Sequence, residues 1–184
     1  MAEVASTVNE VLLTRYLLSV ETDPKKRAYI LNHLLEGFRT TVFRQTLFAE
    51  FEKKAHEMYE AGEPLTAQAL SELYGSLNRT YYPIAEGTDV TDVEWARIPH
   101  FYRAFYVYQY ATGYSAAVAF SRRVLSGDAA KRDQYLGFLS AGCSQPPLDI
   151  LRTAGVDMED PATVEECLKT FEETLDLLEK LMEE

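Results

Sequence analysis

The sequence has no cluster of lysine and arginine, no long apolar run, and only two cysteines, Cys143 and Cys167. Each lack excludes a class. Eighteen Lys and Arg stand against 29 Asp and Glu, a formal net charge of −11. With no basic block, the chain lacks the clustered cations that a nucleic-acid surface or docking on an anionic membrane requires. No apolar stretch approaches the about 18 residues of a membrane span. Two cysteines are too few for a disulfide framework and suit a reducing compartment. Met1-Ala2-Glu3-Val4 lacks the charged segment and apolar core of a signal peptide. There is no Cys-x-x-Cys, no His-Glu-x-x-His, no phosphate-cradling glycine loop and no Gly-x-Ser-x-Gly elbow. At 47% hydrophobic residues over 184, the composition nonetheless supports a packed core. An acidic, soluble, cytoplasmic domain is expected.

What the sequence does hold is helical periodicity. Val4, Val8, Val11, Leu12, Leu13 and Tyr16 recur at mostly three- and four-residue steps, predicting a first helix over Glu3 to Leu18. Asp23-Pro24 reads as an N-cap followed by proline at the first helical position. From Lys25 the apolar pattern runs through Leu34, Phe38, Val42, Leu47, Phe51 and Met58 to a stop at Gly62 and Pro64, as one long helix or two joined by a kink near Gly37. Thr66 caps a helix carrying Leu70, Leu73, Tyr74 and Leu77, and residues 82 to 89 read as an irregular connection. A helix is predicted from Pro99 to about Leu125, another over Ala129 to Ser140, and a short one over Leu148 to Thr153 with Gly155 as its cap. A last helix follows Asp160-Pro161. No strand or repeat emerges, so the expectation is an all-α fold, a single helical unit over 1–184.

The densest candidate for chemistry is the run from Arg97 to Tyr114. There, beside His100, Tyr102, Tyr106, Tyr110 and Tyr114 follow one another at four-residue steps, along one stripe if the segment is helical. Such hydroxyls can point into a wet cleft and donate hydrogen bonds to a developing oxyanion. They can equally be the tips of an aromatic core helix, where each buried hydroxyl must find a partner or cost about 1–3 kcal/mol. Gly113 opens room beside them. His33 and His56 lack a second ligand at metal spacing and read as structural or exposed. Glu3 and Glu10, two turns apart on the first helix, read by themselves as an ordinary acidic face.

Two stretches in combination say more. Ala2-Glu3-Val4-Ala5-Ser6-Thr7-Val8-Asn9-Glu10 and Ile98-Pro99-His100-Phe101-Tyr102, continuing through Phe105-Tyr106-Val107-Tyr108-Gln109-Tyr110-Ala111-Thr112-Gly113, resemble the C-terminal part of oligoendopeptidase F, a zinc metallopeptidase of the thimet oligopeptidase-like family. Leu12 to Leu18 and Phe38 to Gln45 resemble it too, so the similarity covers essentially the whole chain. The fold this implies is a multi-helix bundle like the C-terminal half of a thimet-type catalytic domain. In that family a His-Glu-x-x-His helix gives two zinc ligands and the general base, and a glutamate on the following helix gives the third ligand. The resemblance places Glu3 at that third ligand. It implies catalytic roles for His100 and Tyr106 at the tetrahedral intermediate, and substrate-binding roles for Tyr110 and Tyr114.

The His-Glu-x-x-His helix itself is not in these 184 residues. A zinc site of this type needs two histidines, a carboxylate and an open position for water. The resemblance therefore implies a peptidase of short peptides whose cofactor is zinc, with this chain supplying one ligand and inactive alone. Its partners would be peptide substrates and the missing N-terminal half, or a second copy covering the faces that half would cover. A non-catalytic helical module that binds a peptide or partner is the alternative.

Overall fold

The computed structural model describes residues 3–83 and 89–183, and among them the fold is helices and turns without a strand. The helices are α1 (Val4–Val20), α2 (Pro24–Phe38), α3 (Arg44–Glu60), α4 (Ala67–Tyr81), α5 (Asp89–Asp92), α6 (Tyr108–Leu125), α7 (Ala129–Ser140), α8 (Pro147–Thr153) and α9 (Ala162–Glu183). The all-α expectation stands. No helix among the described residues is long and apolar enough to cross a membrane.

Local chemistry sets most boundaries. The Asp23 carboxylate accepts the backbone N–H groups of Lys25 and Lys26, with Pro24 opening α2. The Thr66 hydroxyl accepts Ala69 N–H at the start of α4, and Asp128 accepts Ala130 N–H at the start of α7. Gly155 ends α8 with φ +86°. Gly155 and Val156 donate to the carbonyls of Arg152 and Leu151, both at 2.9 Å, closing a Schellman motif. The kink expected near Gly37 takes the form of a π-helical turn, Arg39–Phe43, between α2 and α3. Most of the connection read over 82–89, residues 84–88, lies outside the described residues.

One expectation fails. The helix predicted from Pro99 to Leu125 is broken. Glu94–Arg97 and Pro99–Tyr102 are short 3₁₀ turns, and a regular helix begins only at Tyr108. Between them Phe105 takes φ +54°, a left-handed conformation that no α-helix contains. The tyrosine stripe is broken with it, and Tyr102 is left 94% exposed.

The contacts group the chain into two compact units. The first comprises 1–42 and 112–184 and holds α1, α2, most of α6, and α7 to α9. In it Tyr114 to Ser121 of α6 are all buried. Ala116, Ala117 and Ala119 lie in a core with Val4 and Val8 of α1 and Leu151 of α8, their small side chains permitting close approach. Phe120 packs on Tyr135 and Phe138 of α7, ring centroids 5.3 and 5.0 Å apart. Two buried threonines of α9 bond back to their own helix, Thr170 donating to the Glu166 carbonyl at 2.9 Å and Thr174 to Thr170 at 2.6 Å. Cys167 is buried among them, its thiol pushed up to about 11 by burial against a hydrogen bond with Ser115, and Cys143 is exposed.

The second unit, 43–111, contains α3, α4, α5, both 3₁₀ turns and the first residues of α6. Its core is aromatic. Phe51 meets Tyr74 at 5.4 Å and Phe101 at 5.4 Å, and Phe48 meets Phe101 at 5.8 Å, with Leu47, Leu77 and Val107 between them.

Because Phe120 is wholly buried in the first unit, Phe120→Ala is expected to lower stability by about 3–5 kcal/mol. Urea unfolding followed by circular dichroism measures it. A loss under about 1 kcal/mol would mean that the site collapses around the truncation.

Candidate active site

The second unit gathers three of the candidate residues. His100 sits on the Pro99–Tyr102 turn, Tyr106 in the break, and Tyr110 in the first turn of α6. The His100 and Tyr106 rings are stacked at 5.9 Å with an interplanar angle of 14°. Tyr110 stands edge-on to both, 6.0 Å from His100 and 5.6 Å from Tyr106. The Tyr110 hydroxyl lies 3.5 Å from His100 Nε2, at the outer limit of a hydrogen bond. The Arg103 guanidinium covers the Tyr106 ring at 4.8 Å. His100 is exposed and the two tyrosines half-buried, so a surface patch offers phenol O–H groups and an imidazole N–H together. That is a set of donors for a carbonyl oxygen.

The turn carrying His100 is tethered through Glu94. Its carboxylate accepts the Tyr74 hydroxyl of α4 at 2.7 Å and pairs with both Arg44 of α3 and Arg97. Trp95 Nε1–H donates to Ser71 at 3.1 Å, and Val107 is buried in the aromatic core. Burial by itself would raise the Glu94 carboxyl, but the Tyr74 hydrogen bond and the two guanidinium groups outweigh it and hold it below the ordinary carboxylate range. Burial, then the hydrogen bond to Glu94, pushes the Tyr74 hydroxyl far up. A cleft of about 330 Å³ beside this turn is walled by Phe51, Leu65, Leu70, Trp95, Phe101 and Tyr102.

Glu3 and Tyr114 lie in the first unit. Glu3 is exposed just before α1, where the Ser6 hydroxyl donates to its Oε2 at 2.9 Å. Among the described residues no three His, Cys, Asp or Glu side chains come together as metal ligands. Glu3 has the chemistry of a single zinc ligand, but a lone carboxylate is not a zinc site, and the residues present do not fit the metal by themselves. Tyr114 is 7% exposed. Its ring packs edge-on against Phe38 at 4.9 Å, and its hydroxyl occupies space that a Cβ at Gly37 would enter at 3.0 Å. His33 is exposed on α2. His56 is at the surface with Nδ1–H donating to the Glu52 carbonyl at 2.8 Å.

Sequence reasoning missed Arg103, Glu94 and Glu52. Glu52 had a signal, since it falls in the apolar row Phe48, Phe51, Ala55, where a charge is out of place. It is 4% exposed, and its Oε1 accepts the Phe105 N–H at 2.6 Å.

The described residues form an all-α fold that presents a histidine–tyrosine cluster beside a broken helix, and the comparisons place that fold among peptidases. The profile of Peptidase family M3 matches residues 1–170. The chain belongs to that family. It is 54% identical over 183 residues to the oligopeptidase PepF of Bacillus subtilis (strain 168), covering 99% of this chain and 27% of that protein. It is 50% identical over 184 residues to the plasmid oligoendopeptidase F of Lactococcus lactis subsp. cremoris, covering 100% of this chain and 31% of that protein. The crystal structure of oligoendopeptidase-F from Enterococcus faecium superposes with a TM-score of 0.96 at 49% identity, over 99% of this chain and 35% of that one. The chain thus spans about a third of the length of these relatives, and the resemblance to the C-terminal part of oligoendopeptidase F stands.

The Glu94 tether makes acid stability testable. Its carboxyl titrates lower folded than unfolded, so its contribution is complete above the unfolded value and is lost as pH falls through the folded one. Glu94→Gln is expected to cost about 1–3 kcal/mol at pH 7. It should also flatten the fall in stability between about pH 5 and 3. Urea midpoints across that range test this. An acid limb as steep in the variant as in the parent would remove Glu94 from the account.

Proposed function

We propose that this chain provides the substrate-facing part of a zinc endopeptidase acting on short peptides, and that it is inactive by itself. The observation carrying this reading is the juxtaposition of His100, Tyr106 and Tyr110 on one exposed patch of the second unit. Tyr106 and His100 donate hydrogen bonds to the scissile carbonyl as it becomes an oxyanion, each good donor lowering the barrier by about 3 kcal/mol. Tyr110 orients His100 and contacts the peptide, and Tyr114 supports the helix from within the first unit. The apolar cleft walled by Phe51, Trp95 and Phe101 suits an apolar peptide side chain. Zinc would supply activated water in a peptidase of this type; its two histidine ligands would have to come from a His-Glu-x-x-His motif that these 184 residues lack, and Glu3 would be the carboxylate ligand. A cytoplasmic setting accords with the free Cys143 and Cys167.

Leu13, Tyr16, Leu17 and Val20 support the incomplete-enzyme reading. They are exposed at i, i+3, i+4 and i+7 and form an apolar stripe along α1. The rest of the catalytic domain covers this stripe, or in its absence a second copy does. The same stripe is what favours a partner-binding module as the second reading.

Two measurements test the proposal. The pure chain with zinc is expected to leave a fluorogenic short peptide intact. Mixed with the separately produced remainder of the Lactococcus oligoendopeptidase F, it should restore hydrolysis. That activity should fall about 100-fold or more in Tyr106→Phe, and vanish in Glu3→Ala. Complementation indifferent to both substitutions would favour the module. Light scattering of the chain alone should find dimers or larger species that Leu13→Glu with Leu17→Glu returns to 20.9 kDa; a parent that stays monomeric at high concentration counts against the uncovered stripe.

A further inference from the structure

We infer that Glu52, a residue of α3 remote in sequence from the tyrosine segment, is the positioning residue that sets the His100–Tyr106 geometry. The inference rests on reading those two as the substrate-facing pair.

In a continuous helix, residues six apart lie about 240° around the axis from one another, so His100 and Tyr106 would face different ways. Their rings are instead stacked at 5.9 Å, and what makes this possible is the break between them. At its centre Phe105 holds φ +54°. A non-glycine residue stays there only when its surroundings over-determine it, at a cost of about 1–3 kcal/mol. The surroundings that do so converge on Glu52. Its Oε1 accepts the Phe105 N–H at 2.6 Å, a charge-assisted bond from a carboxylate that is 4% exposed. Its own carbonyl accepts Nδ1–H of His56, whose ring lies 4.6 Å from the Phe105 ring. One residue of α3 therefore grips both the backbone and, through His56, the side chain of Phe105. The next residue but one, Val107, is buried in the aromatic core, so the chain is pinned on both sides of Tyr106.

The second carboxylate oxygen sharpens the point. Glu52 Oε2 is buried without a hydrogen-bond partner, an arrangement that costs stability. An apolar side chain in the row Phe48, Phe51, Ala55 would fill the core with no such penalty. The fold bears the cost of a buried acid at the one position where it holds a strained amide beside the candidate catalytic pair, where strain is characteristically stored.

The test uses this chain and nuclear magnetic resonance, with no metal or substrate, so that it is independent of peptidase activity. In the parent, the Phe105 amide is expected to exchange at least about 100-fold more slowly than an unstructured amide. A rapidly exchanging Phe105 amide overturns the inference whether or not any variant folds. Glu52→Gln, which keeps an acceptor oxygen, should leave the His100 Hε1 and Tyr106 ring signals in place. Glu52→Leu should move both toward their unstructured positions while the far-ultraviolet circular dichroism of the helices persists. Leu77→Ala, a cavity in the same aromatic core, controls for general loosening and should leave His100 where it was. Unmoved His100 signals in Glu52→Leu, or equal movement in Leu77→Ala, reduce Glu52 to an ordinary core contact. Failure of peptide hydrolysis in the complementation assay, with these signals behaving as stated, would instead remove the peptidase reading and leave the positioning intact.

Discussion

A hydrogen bond between the Phe105 amide and a buried carboxylate decides what the His100–Tyr110 segment is. Without it nothing in the local sequence breaks a helix, since the segment holds no proline after Pro99 and no glycine before Gly113. With it, two 3₁₀ turns and a left-handed residue intervene before α6 begins. The gain is local geometry. An uninterrupted helix could bring Tyr106 and Tyr110 together, since they are four apart, but not His100 with Tyr106. The break admits all three to one cluster, and the Glu94 network holds the turn beneath them to α3 and α4.

The two units solve their packing differently. The first buries a run of α6 that is mostly alanine, valine and serine, so helices close on it with small side chains, and the buried hydroxyls of Thr170 and Thr174 return to carbonyls of their own helix. The second packs phenylalanine, tyrosine and tryptophan edge to face, and the polar tips of those rings are where its network begins. Tyr74 shows the coupling: its ring is core, and its hydroxyl helps fix Glu94 and thereby the turn that bears His100. Aromatic composition and site geometry are in that sense one feature.

The helices and their ends were largely legible in the sequence, because each rests on short-range chemistry. Asp23-Pro24, Thr66 and Gly155 act within a few residues of themselves, and each does in the structure what its type implies. The break at Phe105 was illegible because its cause lies 53 residues away on α3 and uses a residue type that seldom takes positive φ. For the same reason four-residue spacing could not sort the tyrosines. Tyr102 projects into solvent, Tyr106 and Tyr110 join His100, and Tyr114 packs on Phe38, though the intervals are identical. The missing His-Glu-x-x-His motif was legible directly in the sequence, where Glu3 is one carboxylate and a zinc site of this type needs three protein ligands.

The two cysteines differ in a way that outlasts the question of activity. Cys143 is exposed, whereas Cys167 is buried on α9 with a thiol that resists ionisation at neutral pH. Since only a thiolate that reagent can reach is alkylated, a maleimide dye added to the folded chain marks Cys143 alone. Cys167 reacts only when α9 comes away from its neighbours, so the slow second labelling becomes a clock for the opening of the first unit, built into the chain without any substitution.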